Sequence, residues 1–319
     1  MEADLPYWLA INQRSSAFSA STIALAIARF GSLQNLWNAN TDMLLKIGFN
    51  ETTVSNLVKL KRDFSIKDFE KLSNELKSEH VNVIRFIDKE YPRQLKEIRT
   101  VVGPPLMIFV KGKYRKFSDC VAIVGTRNCS FYGRTTARHI ARRLADKGYT
   151  IVSGLARGVD EEAHCGALES RYGRTFAILP WFDPIYPDEH SELAADIEKR
   201  GARISENYTK SFGKLTSSKF VERNRITSAI SNFVIAIETD ADGGTIRQLE
   251  LANLQNKPVF VLIPKDNERA QRGFNHIIEN LNGIPFSNAE ELFEHIQSNN
   301  LEPSAKLSEY NLNSQLTLD

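Results

Sequence analysis

The spacing of hydrophobic residues changes along the chain and divides it into two parts. From residue 5 to about residue 80, apolar side chains recur at helical intervals, as in Ile23, Ile27 and Phe30. Gly31 follows directly and is a typical helix stop. Strand patterns are scarce in this part. The spacing therefore predicts a small helical domain, which we assign to residues 1–82.

Beyond residue 82, the runs V-I-R-F-I and L-M-I-F-V-K-G indicate a linker and a first strand. Short apolar runs then alternate with helical segments. The runs with strand character are 121–125, 150–154, 175–180, 233–238 and 258–264, with a weaker one at 202–206. Short apolar strands separated by helices are typical of a parallel sheet covered on both faces. The sequence predicts an α/β fold, a Rossmann-like, doubly wound, mostly parallel sheet over residues 83–297, followed by a flexible tail at 298–319.

Composition restricts the protein class without identifying a function. The 319 residues include 41 basic and 39 acidic side chains, a net charge of +2, which excludes a histone-like wrapping protein but permits a local basic groove. The three cysteines lack the C-x-x-C spacing of a zinc or redox site, which favours a reducing compartment. The N-terminus has no signal-peptide pattern, and no apolar run has the length of a membrane span. We expect a soluble cytoplasmic protein without a metal or cofactor.

A possible DNA contact lies in the helical part. L-L-K-I-G-F-N at 44–50, followed by a helical segment, is similar to one arm of a helix-hairpin-helix, whose turn amides bind phosphate. The second glycine of that hairpin is missing, and small helical bundles use such turns for packing alone. A SAM-like bundle and a helix-hairpin-helix-like domain are both compatible with this pattern.

In a parallel sheet, ligands bind beyond the carboxyl ends of the strands. After the first run, Gly125 permits close approach of backbone amides to an anion, Thr126 offers a hydroxyl and Arg127 a planar guanidinium for phosphate. After the second run, the candidate anion contacts are Ser153, Gly154 and Arg157.

Two side chains of the helix that follows the second run have structural interpretations. Asp160 lies at the predicted helix start, where its carboxylate would cap free amides. His164 is interpreted as a packed histidine, because no third residue orients it for acid-base chemistry.

The segment F-V-E-R-N-R-I-T-S at 220–228 combines an aromatic with closely spaced arginines. Phe220 can stack on a base, and Lys219, Arg223 and Arg225 can neutralise phosphates. On a helix, residues two apart cannot both face one side. One of the two arginines is therefore predicted to be structural, and the sequence leaves open which. At the fourth distinctive strand end, Gly243, Gly244 and Thr245 open a helix and form another amide-rich anion pocket.

Taken in order, these motifs resemble the DNA-processing protein A family, also called Smf. The resemblance rests on V-A-I-V-G-T-R, S-G-L-A-R-G-V-D-E-E-A-H-C-G-A-L, D-P-I-Y-P, I-S-E-N-Y, F-x-x-R-N-R-I-T-S and G-G-T-I-R-Q-L-E-L-A, and it extends from about Tyr7 to Ile296. Thr126 stands where the family usually has serine. We also expect that the family's C-terminal winged-helix domain is lacking.

The resemblance implies sequence-independent binding of single-stranded DNA, a homodimer formed through the Rossmann-like domain, and assistance in loading the bacterial recombinase during transformation. It does not imply an enzyme. The positions that match the family's phosphate-binding and aromatic segments are Gly125, Thr126, Arg127, Ser153, Gly154, Lys219, Phe220, Arg223, Asn224, Arg225, Gly244 and Thr245.

Two rival functions use the same kind of pocket. Nucleotide N-glycosidases carry P-G-G-x-G-T-x-x-E, and here Gly243, Gly244, Thr245 and Glu250 match it in part. The separation of Thr245 and Glu250 is five residues rather than three, and the leading proline is absent. The other rival is a nucleotide-sensing module in anti-phage defence.

Overall fold

The computed structural model describes residues 2–114, 117–209 and 218–304, and the chain forms two compact units. Of the described residues, the first unit contains 2–111 and 206–209, and the second contains 112–205 and 218–304. The sequence-based division after residue 82 stays a prediction. Most of the tail predicted at 298–319 lies outside the described residues.

The first unit is mainly helical, and its helices begin at polar caps. The hydroxyl of Ser19 and the side-chain carbonyls of Asn40 and Asn50 each accept an amide of the following turn, at 2.8 to 3.1 Å. Gly31 ends its helix at φ +78°, which confirms the predicted stop. The elements are α1 Leu5–Asn12, α2 Ala20–Phe30, α3 Leu33–Asn38, α4 Thr41–Lys46, α5 Glu51–Asp63, α6 Ile66–Ser78 and α7 Arg93–Lys96, with the antiparallel strands β1 Asn82–Arg85 and β2 Met107–Gly112.

The motif at 44–50 forms the turn between α4 and α5. Gly48 has φ +100°, a conformation that favours glycine, and an added Cβ there would meet no atom within 4 Å. The first turn of α5 is already capped by Asn50. The turn is therefore exposed and well formed, and DNA contact through it stays a prediction.

The second unit contains a seven-stranded parallel sheet in the order β6-β5-β4-β3-β7-β8-β9. The strands are β3 Cys120–Val124, β4 Thr150–Ser153, β5 Arg174–Ile178, β6 Ala202–Ser205, β7 Phe233–Ala236, β8 Val259–Leu262 and β9 Ile284–Phe286. The helices are α8 Phe131–Asp146, α9 Val159–Glu169, α10 Ser191–Arg200, α11 Ser218–Ile230, α12 Gly244–Leu254, α13 Glu268–Leu281 and α14 Ala289–Ser298. The doubly wound α/β fold predicted from the sequence is confirmed.

Both faces of this sheet are buried, as the continuous apolar runs require. Val121 and Ile123 pack in one core with Ile140 of α8, whereas Ala122 packs on the opposite face with Leu249 of α12. Strand β9 was not anticipated, because its three residues I-P-F are too few to form a recognisable run. Among the described residues, no helix has the length and hydropathy needed to span a bilayer.

His164 of α9 is fully buried, in agreement with its interpretation as a packed histidine. The Thr175 hydroxyl donates to the carbonyl of Ile151 at 2.9 Å, so it accepts from His164 Nδ1 at 2.6 Å. Nε2 is buried without a hydrogen-bond partner. Burial, with smaller effects of His190 and Arg223, lowers the pKa of His164 from 6.5 to about 3.

His164 should make the protein less stable at mildly acidic pH. Above its ordinary pKa of 6.5, neither the folded nor the unfolded state carries a proton here, so the full stability is present. Below that value the unfolded chain binds a proton that the folded state excludes until about pH 3. The free energy of unfolding should fall by about 1.4 kcal/mol per pH unit in this window.

Urea unfolding at about pH 7 and about pH 5 measures this loss. We expect His164→Gln to remove a loss of about 2 kcal/mol between the two conditions, whatever it does to stability at neutral pH. His139, an exposed histidine of α8, provides the control, since His139→Gln should keep the wild-type difference. An unchanged difference in the His164 variant would contradict the assignment.

Candidate nucleic-acid interface

The order of the strands defines where the chain can form a ligand crevice. Strands β4, β5 and β6 follow β3 in one direction across the sheet, and β7, β8 and β9 lie on the other side of β3. The order therefore reverses between β3 and β7. In open α/β sheets, ligands bind beyond the carboxyl ends of the strands at this reversal. The loops after β3, β4, β5 and β7 all leave the sheet at that edge.

Three aromatic side chains meet beside this reversal, and we call Trp181, Tyr186 and Phe220 the aromatic cluster. The ring centroid of Phe220 lies 5.2 Å from that of Trp181 and 5.7 Å from that of Tyr186. The guanidinium of Arg127 lies 5.4 Å from the Phe220 ring centroid, a cation-π distance. Trp181 is buried and donates Nε1 to the Pro184 carbonyl at 2.9 Å, whereas Tyr186 is 45% exposed. The cluster thus presents an open aromatic ring next to a cation.

The loop after β3 is held by its backbone, which leaves Arg127 exposed. The Thr126 amide donates to the carbonyl of Glu238 at 2.7 Å, and the Thr126 hydroxyl accepts from the amide of Asn128 at 3.2 Å. Gly125 is needed for packing, because an added Cβ would lie 2.5 Å from a side-chain carbon of Val159. Thr126 is therefore partly committed to the loop. Within the part of the chain that is described, Arg127 forms no ion pair.

Two further cations predicted for the site, exposed Arg157 and half-buried Lys219, are already paired with carboxylates. Arg157 contacts Glu189 in an exposed ion pair, and the ammonium of Lys219 lies 2.8 Å from Glu222. Such surface pairs contribute little to stability and exchange easily for another anion. Both cations therefore remain able to contact a phosphate, at the cost of a weak intramolecular pair.

Ser153, Gly154 and Arg223 form a buried network rather than an open anion pocket. The Ser153 hydroxyl donates to the Ile123 carbonyl at 2.6 Å. Arg223 lies against Gly154, where an added Cβ would be 1.8 Å from Nη1, and donates Nη1 to the Ile178 carbonyl at 2.8 Å. Gly154 is thus required by the guanidinium that packs on it.

Asp160 supplies the negative charge of this network. Its carboxylate accepts from the amides of Gly154 at 3.1 Å and Ala156 at 3.4 Å. The predicted capping of its own helix is corrected: Asp160 is the second residue of α9, so its side chain reaches back to the preceding loop. Burial raises the pKa of Asp160, and the neighbouring Arg223 cation and the two amides oppose that shift.

The sequence predicted that one of Arg223 and Arg225 is structural, whereas the structure buries both. Segment 218–230 is a helix, and both side chains are buried, at 7% and 2% exposure. Arg225 donates Nη1 to the Glu222 carbonyl at 2.8 Å, and Asn224 is buried as well. The first turn of this segment is the more accessible part, and it carries the half-buried side chains of Lys219 and Phe220.

The turn at 243–245 forms the open start of α12. The Gly243 amide donates to the Asp240 carbonyl at 2.9 Å, and Gly244 is exposed with no atom within 4 Å of an added Cβ. Glu250 lies on an exposed face of α12, about 140° around the helix from Thr245. That arrangement does not aim the carboxylate at a substrate held by the turn.

Sequence reasoning missed three residues of this edge. Tyr186 and Trp181 follow β5 in a segment with three prolines, and a cluster of aromatics between prolines after a strand was the available signal. Glu238 directly follows the β7 run. Its buried carboxylate accepts from the amide and the hydroxyl of Ser130, at 2.9 and 2.6 Å, at the start of α8. The protein's own carboxylate therefore occupies that helix terminus.

A profile of the family described as DNA recombination-mediator protein A matches residues 82–297. The chain belongs to this family. Three relatives agree with it. DNA processing protein DprA of Bacillus subtilis is 30% identical over 76% of this chain and 84% of its own length. Protein Smf of Synechocystis is 31% identical over 86% and 68%, and Protein Smf of Escherichia coli is 32% identical over 65% and 54%.

Two solved structures are similar to this chain. DNA processing protein A of Helicobacter pylori, solved to describe its single-stranded DNA binding mode, is 28% identical with a TM-score of 0.60. That match covers 69% of this chain and 96% of the other. DprA of Streptococcus pneumoniae has a TM-score of 0.72 over 90% of this chain and 97% of its own, and at 22% identity it supports the fold alone.

The burial of Arg223 predicts a stability role that is separable from ligand binding. Arg223→Ala would leave the buried Asp160 carboxylate without its cation, and we expect the free energy of unfolding to fall by about 3 to 5 kcal/mol. Urea unfolding measures this. Arg157→Ala, which removes an exposed arginine, is the control and should cost less than about 1 kcal/mol. The double variant Arg223→Ala/Asp160→Asn should recover part of the loss. A stable Arg223→Ala protein would argue against this electrostatic coupling of Arg223 and Asp160.

Proposed function

We propose that the second unit binds single-stranded DNA without sequence preference, at the crevice formed by Arg127 and the aromatic cluster. The observation that carries the proposal is the stacking of Arg127 on Phe220 beside the half-exposed ring of Tyr186. Bases stack on aromatic rings irrespective of their identity, because every base has a π-face. A guanidinium beside the rings binds phosphate in a bidentate manner. The combination favours an unpaired strand over a duplex, whose bases are not accessible for stacking.

The relatives support the same ligand. DNA processing protein A of Helicobacter pylori is described by its single-stranded DNA binding mode, and its fold matches over most of its length. We extend to this chain the remaining properties implied by the family: a cytoplasmic homodimer formed through the Rossmann-like unit, which protects incoming strands and helps to load the recombinase in transformation or recombination. A dimer would present two crevices to one strand, and the second contact would gain affinity through effective concentration.

We further propose that the protein acts by binding and is not an enzyme. Among the described residues, no group of three His, Cys, Asp or Glu side chains is arranged to hold a metal ion. The cysteines at 120 and 129 are buried and the one at 165 is half-buried, all of them free thiols. The candidate glycosidase carboxylate, Glu250, lies on an exposed helix face. Release of free base from a nucleoside monophosphate, lost in Glu250→Gln, would contradict this part of the proposal.

Arg127→Ala should weaken strand binding far more than it weakens folding. Loss of a charged contact to phosphate is expected to raise Kd about tenfold, while the free energy of unfolding changes by less than about 1 kcal/mol. Fluorescence anisotropy with single- and double-stranded oligonucleotides at two salt concentrations measures the effect. The variant should also show a shallower dependence of log K on log salt, because it neutralises fewer phosphates.

The matched control is Arg142→Ala, which removes an exposed arginine from the opposite end of α8. It should bind the strand as the wild type does. Equal weakening in the two variants would indicate a general charge effect. Tighter binding of the duplex than of the single strand by the wild-type protein would contradict the proposed function itself.

Tyr186→Ala should weaken strand binding about fivefold to tenfold, because stacking on an aromatic ring contributes about 1 kcal/mol or more per base. Tyr186→Phe keeps the ring and should bind normally. Tyr172→Ala is the matched control and should bind normally. Tyr172 is 46% exposed against 45% for Tyr186, but it precedes β5 at the other edge of the sheet. Anisotropy on the same oligonucleotide compares the three variants. A loss in Tyr186→Phe equal to that in Tyr186→Ala would exclude stacking as the cause.

A further inference from the structure

A second cleft opens at the carboxyl edge of the sheet, on the other side of the β3 loop from the aromatic cluster. Its volume is about 330 Å³, which is within the range of sites for small ligands. It lies at the reversal of strand order between β3 and β7, where doubly wound sheets bind nucleotides. The residues that line it are Thr126, Asn128, Cys129, Ser130, Glu238, Thr239, Asp240, Asn267, Arg269 and Ala270.

Two glycines shape the walls of this cleft. Gly133 brings the first turn of α8 against the end of β7, since an added Cβ would lie 2.7 Å from the carboxyl carbon of Glu238. Gly273 brings α13 equally close, since an added Cβ would lie 2.0 Å from the Thr239 carbonyl oxygen. The starts of α8 and α13 therefore converge on one polar space. This space is built by close backbone packing.

The polar groups of the cleft divide into committed and uncommitted ones. The Glu238 carboxylate is held by Ser130, and the Asp240 carboxylate is 3.2 Å from Arg272 through both oxygens. A carboxylate has about four acceptor positions, so Asp240 retains capacity for N–H or O–H donors. Asn128 and Arg269 are exposed, and their side chains form no hydrogen bond or ion pair among the described residues.

We propose that this cleft takes one nucleotide, with the polar edge of its base or sugar toward Asn128 and Asp240 and its phosphate toward Arg269. An amide and a carboxylate match the mixed donors and acceptors of a base edge or sugar hydroxyl, and a guanidinium matches phosphate. The cleft contains no aromatic side chain, so it holds the nucleotide by hydrogen bonds rather than by stacking.

The cleft adjoins the proposed strand site. Thr126 lines the cleft, and the next residue, Arg127, stacks on Phe220. A strand that stacks on the aromatic cluster and follows the β3 loop would therefore deliver its next nucleotides to the cleft. This assignment of the ligand to the strand rests on the proposed function, whereas a free nucleotide would use the same groups independently of it.

Charge reversal at Arg269 tests the proposal. We expect Arg269→Glu to weaken binding of a labelled single-stranded oligonucleotide about threefold to tenfold, the effect of losing one partly exposed polar contact. Arg142→Glu, the same charge change on an exposed arginine at the far end of α8, should alter binding less than about twofold at physiological salt. Asn128→Ala should weaken binding without any change of charge. In a parallel calorimetric titration, AMP is added at millimolar concentration to the wild-type protein and to all three variants.

A response of the oligonucleotide to both cleft variants, with none in the control, identifies the strand as the source of the nucleotide. A response of AMP alone identifies a free nucleotide as the source. The proposal is overturned if the cleft variants bind both probes as the wild type does. In that case Arg127→Ala still decides the proposed function, because a loss of strand binding in that variant leaves the strand site intact as an explanation.

Discussion

The guanidinium of Arg223 is the contact on which the candidate site depends. It joins the turn after β4, through Gly154 and the neighbouring Asp160, to the end of β5, through the Ile178 carbonyl. Arg223 belongs to α11, so this contact also fixes the start of that helix. Phe220 lies three residues earlier on the same helix, which is nearly one full turn. Anchoring Arg223 therefore holds Phe220 against Trp181 and Tyr186, and so provides the surface on which Arg127 stacks.

The arginines of this region differ in burial, and the difference separates a structural cation from cations that can contact a ligand. Desolvation makes a buried cation costly, and the negative charge of Asp160 and the hydrogen bond to the Ile178 carbonyl offset part of that cost for Arg223, whose Nε is buried without a hydrogen-bond partner. The cations that remain exposed, Arg127 among them, are the ones able to meet a phosphate. Arg223 and Arg127 thus differ in burial rather than in residue type, and burial determines which of them can contact a ligand.

The carboxylates at the sheet edge follow the same logic. Glu238 is placed where two helix starts converge, and it satisfies the amide and hydroxyl of Ser130. A negative charge at a helix start is stabilising, so the protein itself fills the position that an anion would otherwise take. In the proposed function, phosphate contacts therefore fall to exposed side chains around the reversal point. Buried acidic residues that are already hydrogen-bonded are then compatible with a polyanionic ligand.

The sequence by itself determined the α/β architecture and the edge of the sheet at which the candidate site residues lie. Continuous apolar runs such as 121–125 and 233–238 can only be satisfied by burial on both faces, and the glycine turns that follow them lie at the carboxyl ends of those strands. Arg127 was predicted as a phosphate contact because it follows a glycine turn after a strand, and Phe220 as a stacking ring because it lies among closely spaced cations. Local residue type and periodicity carried these predictions.

Only the tertiary structure decided which side chains reach the surface of the site. Arg223 and Arg225 have the same chemistry and adjacent sequence contexts, and their burial depends on how α11 packs against the turn at Gly154 and against the end of α12, where Gln255 donates to the Arg225 carbonyl. The pairing of Tyr186 with Phe220 joins residues from two separate segments, and the cleft beside β7 exists because Gly133 and Gly273 let two distant helices approach. Such contacts depend on distances between remote parts of the chain, which local patterns of hydrophobicity do not specify.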